Sequence, residues 1–334
     1  MTTSPILLSD YRNITGLDDV SISIVDPFLK SNFLMQRMPF NQIATKAGNT
    51  ITAVYPRVSS QPTAASRAFN AEYDGQKVTT ELVTVSCKIL GGRFDVDRVF
   101  ANLGNDAETV FQLEQLAKAA TAEFCYLAIN GDHSANATDF DGLKVLLAGN
   151  ARQELNVTLD WTAPMTNDQA SGFLVVLDDA ISRINGIGGS KAGVVILVNR
   201  VTSIRLNAIA RKAGFHQLQS DAFGEQINTY QGIPVIEMGD RAGADTPVIP
   251  VLSDGTSSVY IARLGVDGFH AVSPSGTAML QAWVPFTQSG NNVNPGGVEL
   301  VAAVALVDVR AAVAVHGIKV QGAGDSSYAP VTVA

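Results

Sequence analysis

Few side chains in this sequence have a type and spacing that would support catalysis. The run Gly186-Ile187-Gly188-Gly189-Ser190-Lys191 has the composition of a phosphate-binding loop. It precedes a predicted strand, Val194–Val198, instead of following a strand and opening a helix, so its amide groups would not lie at a helix N-terminus. We therefore interpret the run as a helix-to-strand turn.

A second motif, Asp139-Phe140-Asp141-Gly142, resembles the middle of a calcium-binding loop. Ala137 occupies the first ligand position and Ala148 occupies the position of the bidentate acid, and neither side chain can ligate a cation. The sequence thus excludes a calcium loop of this type.

The histidines favour structural roles. The four of them, His133, His216, His270 and His316, lack the spacing of metal ligands. His316 lies in an apolar stretch and His270 lies beside Phe269, and both settings are typical of hydrogen-bonded structural histidines.

One pair of carboxylates could share a strand face. Asp95 and Asp97 have the required spacing, but Arg93 and Arg98 flank them, so we predict a salt-bridged structural turn instead of an acid–base pair. We therefore predict no catalytic, cofactor-binding or metal site.

The composition favours a protein whose surface is covered by other copies of itself. The 334 residues include 23 basic and 31 acidic side chains, or 16% charged residues, against about 25% in an average globular protein. Hydrophobic residues make up 46%, which is too many for a disordered chain. The net charge of −8 excludes a protein that coats nucleic acid by bulk attraction. The length suggests about two domains.

The sequence also bears on cellular location. Cys87 and Cys125 are too few for a disulfide framework or a zinc ribbon, and we predict that both are reduced and buried. Residues 1–10 lack the basic region of a signal peptide. The apolar stretch Val298–Val315 is interrupted by Glu299 and Asp308, which predicts one long strand and not a membrane span.

The first part of the chain predicts two projections. Residues 1–46 form an extended arm whose apolar side chains must lie against a surface, either of their own body or of a neighbour. Alternating residues at 50–55 and 78–85 predict two strands of a long ribbon. A two-stranded ribbon is marginally stable alone, so it needs a partner surface or packs as an edge hairpin on its own domain.

Capping signals predict three helices in the middle of the chain. The first begins after Gly104, with Asn105 as its cap, and runs to Asn130-Gly131. The second begins at Thr166, where Gln169 completes a capping box, and runs to Asn185-Gly186. The third follows the strand Val194–Val198 through Asn199 and ends at Gly214.

The remainder predicts strands separated by glycine-rich loops. These strands are Ile233–Glu237, Ser258–Arg263, Met279–Val284 and the long run Val298–Val315. The element order predicts an α+β protein with at least two packed bodies and two projections.

This order of elements, together with several short motifs, resembles the major capsid proteins of tailed bacteriophages, which have the Hong Kong 97 fold. The motifs are Ala128-Ile129-Asn130-Gly131-Asp132, Phe140-Asp141-Gly142-Leu143, Val194-Val195-Ile196-Leu197-Val198-Asn199, Phe223-Gly224, Tyr230-Gln231-Gly232-Ile233-Pro234-Val235-Ile236 and Val259-Tyr260-Ile261-Ala262-Arg263-Leu264-Gly265. The similarity spans roughly residues 30 to 320, and its weight comes from the order and spacing of the motifs.

The resemblance implies a division of the chain. The expected parts are an N-terminal arm (1–46), an extended β-ribbon or E-loop (47–92), a peripheral domain with a long spine helix (93–150), an axial domain (151–297), a strand that returns to the peripheral domain (298–320) and a C-terminal tail (321–334).

The implied function is structural. Pentamers and hexamers of the chain would close into an icosahedral phage head around double-stranded DNA, without sequence-specific DNA binding or membrane contact. Assembly in the host cytoplasm would involve a portal, a separate scaffolding protein and decoration proteins. Six residues of the arm and ribbon are the expected intersubunit contacts: Phe28, Phe33, Tyr55, Arg67, Phe69 and Tyr73.

Two alternatives remain open. The first is an encapsulin-like nanocompartment shell, which would hold protein cargo instead of a genome. The second is a soluble α/β enzyme with a site assembled from His216, Asp221 and Glu225.

One departure from the resemblance concerns covalent chemistry. Some members of the family form isopeptide crosslinks from an E-loop lysine, but the expected ribbon tip, residues 59–74, contains Arg67 and no lysine, and Lys77 lies past it. We therefore expect a shell without covalent crosslinks.

Overall fold

The computed structural model describes the arrangement of most of the chain. The described residues are 33–42, 51–60, 62–97, 99, 106–184, 191–214, 217–220, 226–241, 243, 246–276, 280–285, 292–325 and 329. Their helices are α1 (Phe33–Arg37), α2 (Asp106–Asn130), α3 (Leu143–Leu147), α4 (Asn167–Ser182) and α5 (Arg200–Lys212).

The strands of the described residues form two larger sheets and a separate ribbon. The strands are β1 (Phe40–Gln42), β2 (Thr52–Ser60), β3 (Thr79–Ser86), β4 (Lys88–Asp97), β5 (Glu154–Asp160), β6 (Val194–Val198), β7 (Gln217–Ser220), β8 (Gln226–Tyr230), β9 (Ile233–Glu237), β10 (Thr256–Arg263), β11 (Phe269–Ser273), β12 (Leu280–Trp283), β13 (Val293–Leu306) and β14 (Ala312–Lys319). The predicted α+β class is therefore confirmed.

The centre of the larger sheet is buried on both faces. Its seven strands run in the order β5-β14-β10-β6-β9-β8-β7. Val194, Ile196 and Val198 of β6 pack in one hydrophobic core with helices α4 and α5, whereas Val195 and Leu197 pack in a second core that contains α2. Because successive side chains of a strand point to opposite faces, a strand between two cores must be apolar throughout, as β6 is.

The five-stranded sheet is organised around β13. This strand pairs with β11, β12 and β4, and β1 adds to β11 in parallel. Helix α2 lies on β4, and a side chain at Gly92 would collide with Leu116 of the helix. The described end of the predicted arm also packs here, since Leu34, Met35 and Met38 are buried in the same core as α2. This part of the arm therefore lies on its own body.

Helix α2 spans 25 residues, or about 37 Å at the usual rise, as the sequence predicts. Its end is fixed by two close backbone approaches. Gly131 lies against the Phe140 carbonyl and Gly142 lies against the Leu127 carbonyl, and a Cβ at either glycine would overlap these oxygens. The motif around Asp141 is therefore a packing element at the end of the helix.

The predicted caps of the next two helices are present. The Gln169 amide donates to Thr166 Oγ1 over 3.3 Å and the Thr166 amide donates to Gln169 Oε1 over 2.9 Å, which completes the capping box of α4. Asn199 Oδ1 accepts a hydrogen bond of 2.7 Å from the Thr202 amide at the start of α5. Helix α4 ends at Ser182, a few residues before the predicted end.

The prediction of one long strand over Val298–Val315 is wrong. The run belongs to two strands, β13 and β14, in different sheets. Between them Asp308 Oδ1 accepts from the Arg310 amide over 2.9 Å and caps a 3₁₀ turn, Val309–Ala311, which turns the chain out of the first sheet. The run is apolar on both sides of the turn because each strand is a buried member of its sheet.

The two sheets draw their strands from several segments of the expected division. The predicted returning strand, 298–320, contributes its second half to the seven-stranded sheet. Strands β11 and β12, which lie in the segment 151–297, pair with β13 in the five-stranded sheet.

Both cysteines are buried, as predicted. Cys125 lies on α2, and Cys87 lies between β3 and β4, where its thiol donates to the Val272 carbonyl over 3.4 Å. Burial raises the pKa of Cys87 to about 11 because the thiolate loses its hydration.

We expect replacement of Phe124 by alanine to destabilise the fold severely. The Phe124 ring is fully buried between Phe40, at a centroid distance of 6.2 Å, and Phe140, at 5.8 Å. Loss of such a ring costs about 3–5 kcal/mol. The exposed Lys118 on the same helix is the matched control, and Lys118→Ala should change the free energy of unfolding by less than about 0.5 kcal/mol. Urea titration measures the free energy of unfolding of both variants. Equal losses would contradict the assignment of Phe124 to the buried face of α2.

We expect neither cysteine to react with iodoacetamide in the native protein at pH 8. At that pH only about one Cys87 thiol in a thousand is ionised, and burial also blocks access. Intact-mass measurement should show two added groups after unfolding in urea and none before. Alkylation of native Cys87 alone would show that the packing around it is open.

Candidate intersubunit surfaces

The ribbon has two different faces, because its strands alternate. In the antiparallel register Pro56 lies opposite Leu82 and Tyr55 lies opposite Val83. The face with Tyr55 turns toward the body, where Ala53 is buried in the core. The other face is exposed. Its apolar members are Val54, Pro56, Val58 and Leu82, and Thr80 and Thr84 lie beside them. Leu82 alone exposes 72% of its surface. We call the four apolar residues the outward strip.

Beyond its base the ribbon projects from the body. Every residue from 62 to 82 is exposed. The outgoing and returning segments of the ribbon are joined there by Thr63 and Gln76. The Thr63 amide donates to Gln76 Oε1 over 2.6 Å, and Gln76 Nε2 donates to Thr63 Oγ1 over 3.1 Å. Near the base, Arg57 Nε donates to Glu81 Oε1 over 2.7 Å, a half-exposed ion pair worth at most about 1 kcal/mol.

The ribbon tip is an ordered turn. Arg67 donates to the Ala71 carbonyl over 3.0 Å, and its guanidinium lies 5.5 Å from the centre of the Tyr73 ring. Asn70 has a φ of 64°, a conformation that asparagine tolerates better than most residues. This turn holds Phe69 fully exposed to solvent.

A groove separates the ribbon base from the body. Its lining includes Arg57 and Val58 on the ribbon side and Arg152, Val309 and Arg310 on the body side. The ribbon therefore does not lie flat on its own subunit at this level.

The root of the ribbon, which we define as the segment around Ala53 and Tyr55, is packed on the five-stranded sheet. The Tyr55 hydroxyl and His270 Nε2 lie 3.2 Å apart, and the two rings meet edge to face with centroids 5.6 Å apart. Burial raises the pKa of Tyr55 and lowers the pKa of His270, since each charged form would lose hydration. Both groups are thus neutral at neutral pH.

The six predicted contact residues have different positions. Arg67, Phe69 and Tyr73 lie together in the exposed tip. Tyr55 instead contacts His270 of its own chain, which the sequence did not indicate. Phe28 lies outside the described residues, as does the side chain of Phe33. The prediction missed the outward strip, although the period-two pattern that indicated the ribbon already assigned these residues to one face.

The residues considered for catalysis have structural partners where they are described. Ser258 Oγ lies 2.7 Å from His316 Nδ1, as expected for a structural histidine. Arg93 pairs with Asp95 over 3.2 Å, although within strand β4 and not in a turn. Lys191 donates to Gln231 Oε1 over 2.6 Å.

Several other candidates fall outside the described residues, namely Arg98, 185–190, His216, Asp221 and Glu225. The described residues contain no group of three or more side chains arranged to hold a metal ion. None of the helices in the described residues has both the length and the hydrophobicity needed to cross a membrane.

Comparison with known proteins gives the fold. No protein-family model matches the sequence, and no curated protein matches it either. Among solved structures, the SrpI encapsulin of Synechococcus elongatus has a TM-score of 0.58 at 14% identity and covers 95% of both chains. The capsid of a native GTA particle has a TM-score of 0.57 at 12% identity and covers 95% of this chain and 94% of its own.

A third structure belongs to a tailed phage. The capsid of the Myoviridae phage XM1 has a TM-score of 0.51 at 11% identity and covers 83% of this chain and 89% of its own. These neighbours are shell proteins and not enzymes. The chain therefore has the Hong Kong 97-like fold that is shared by capsid and encapsulin shell proteins.

Proposed function

We propose that this protein is a structural shell subunit and that many copies of it assemble into a closed container. The observation that carries this proposal is the projecting ribbon, on a fold shared with shell proteins. Its outward strip and its tip expose apolar side chains that the described residues of its own chain leave uncovered. Exposed apolar patches of this kind are typical of association surfaces.

The elements take the roles that the fold suggests. The ribbon formed by β2 and β3 is the E-loop, α2 is the spine helix, and the seven-stranded sheet with α4 and α5 is the centre of the axial domain. The body around β13 and α2 is the peripheral domain. The arm, residues 1–46, and the ribbon, residues 47–92, contact neighbouring subunits in pentamers and hexamers, and residues 321–334 form the tail.

The contents that we propose are double-stranded DNA, in an icosahedral phage head. The net charge of −8 supports this choice, because an acidic subunit does not adhere by bulk attraction to the polyanion inside the container. Assembly in the host cytoplasm would then require a portal and a separate scaffolding protein, with decoration proteins as further partners.

The likeness to an encapsulin favours a second candidate, a nanocompartment that holds protein cargo. Negative-stain microscopy of the purified protein, combined with an assay for nuclease-protected DNA, separates the two. Closed shells with protected DNA support the phage head, and closed shells with protein and no DNA support the compartment. Small oligomers without shells would contradict both.

We expect the ribbon to be needed for assembly and not for folding of the body. Replacement of Gln61–Glu72 by a short Gly-Ser linker removes Arg67 and Phe69 of the exposed tip and leaves the root intact. The variant should have native helix content by circular dichroism and should form no shells under the microscope. Normal shells from this variant would show that the tip makes no essential contact.

A matched pair of leucines tests the outward strip in the same assay. Leu82 on the ribbon and Leu252 in a loop of the body are both exposed, by 72% and 56%. Leu82→Asp should stop assembly because it places a charge in the apolar contact, whereas Leu252→Asp should assemble normally. If both variants lost assembly to the same degree, the outward strip would have no special role in assembly.

We also expect the shell to contain no covalent crosslinks. An amide-forming reaction needs a lysine amine, a carboxamide and a nearby acid, and residues 59–74 of the ribbon contain no lysine. Particles boiled in detergent and reductant should run as one band near 35 kDa. A ladder of multimers that survives reduction would reveal a crosslink elsewhere.

A further inference from the structure

A buried titratable group lies directly under the root of the ribbon. His270 on β11 is 0% exposed, and its Nε2 lies 3.2 Å from the hydroxyl of Tyr55 on β2. Tyr55 lies at the point where the ribbon leaves the body, two residues after the buried Ala53 and two before the half-exposed Arg57. The Tyr55–His270 contact therefore joins the projecting ribbon to the five-stranded sheet.

The surroundings of His270 offer little compensation for a positive charge. On β13 the residue opposite His270 is Ala305, which is apolar. Beside Tyr55, between β3 and β4, the Cys87 thiol is neutral because burial raises its pKa. On β1 the side chain of Asn41 hydrogen-bonds Tyr55 and carries no charge.

One acidic group faces His270 from the turn before β11. This group is Asp267, whose side chain is 75% exposed and lies 2.9 Å from the guanidinium of Arg263. This carboxylate is therefore hydrated and already paired. Burial lowers the pKa of His270 more than Asp267 and the backbone of Gly265 and Gly268 raise it.

We propose that the Tyr55–His270 contact is a proton-sensitive latch that sets the direction of the ribbon. Neutral His270 holds the ribbon root against the sheet, and a proton on His270 releases it. The latch belongs to the single subunit, and its consequence for assembly rests on the proposed shell function.

The direction of the pH effect follows from the environment of the ring. In the closed root the charged ring is buried, whereas in an open root it is hydrated and titrates near its ordinary pKa of about 6.5. The open root therefore binds the proton more tightly, and protonation favours it. The closed root keeps its full stability above about pH 6.5 and loses stability as the pH falls below that value.

The experiment measures the position of the ribbon within one chain. Spin labels are attached through Ala65→Cys in the exposed distal part of the ribbon and Lys144→Cys on α3, while the native cysteines stay buried and unlabelled. Labelled chains are diluted into unlabelled chains so that only intrachain distances are recorded. Pulsed electron paramagnetic resonance should give a narrow distance distribution at pH 8, and this should be lost at pH 5.

Three variants test whether His270 is the responsive group. His270→Gln keeps a neutral hydrogen-bonding side chain, so its distribution should be narrow at both pH values. Tyr55→Phe removes only the hydroxyl, so its distribution should already be broad at pH 8. His316→Gln replaces a partly buried histidine on β14 and should respond to pH as the native chain does.

The outcomes that overturn the latch are distinct. A native distribution that does not change between pH 8 and pH 5 would overturn it, as would an acid response that persists in His270→Gln. If His270→Gln does not fold, a narrow distribution for Tyr55→Phe at pH 8 would overturn it instead. The distance is measured within one chain, so it tests the latch alone. Failure to form shells is a separate outcome, which microscopy detects.

Discussion

The structure depends on a sheet that is used by two hydrophobic cores at once. Strands β6, β10 and β14 alternate between the core beneath α4 and α5 and the core that contains α2, so neither face is available to water. A shift of one residue in their register would exchange the side chains of both cores, and this constraint specifies the register strongly. The sheet is therefore the element that fixes the two bodies of the subunit relative to one another.

Most of the ribbon lies outside these two hydrophobic cores. Within the described part of the chain, its inner face is anchored near Ala53 and Tyr55. Farther out its side chains are exposed, so packing among these described residues does not account for the outward strip. A ribbon of two strands gains little stability from its own contacts. The Arg57–Glu81 pair and the Thr63–Gln76 hydrogen bonds keep the two strands together, and the tip turn gives Phe69 a defined position. A preorganised projection of this kind loses less conformational entropy when it binds.

Local patterns in the sequence predicted the elements whose physics is local. The capping box at Thr166, the cap at Asn199 and the alternation in the ribbon were all readable, because each depends on residues close in the chain. The apolar run that contains β13 and β14 was misread, since continuous burial hides a change of sheet, and only Asp308 marked the turn. The contact between Tyr55 and His270 joins residues 215 positions apart, and no local pattern indicates such a pair.

The corner at Asp308 also has a consequence for the order of events during synthesis. The segment from Val293 to Lys319 provides β13 to one sheet and β14, which lies between β5 and β10, to the other. Until the ribosome has made this segment, the upstream strands lack the neighbours that would bury them, and the nascent chain cannot complete either sheet. Contacts so distant in sequence form slowly. The root of the ribbon therefore reaches its final support late, after most of the chain has left the ribosome.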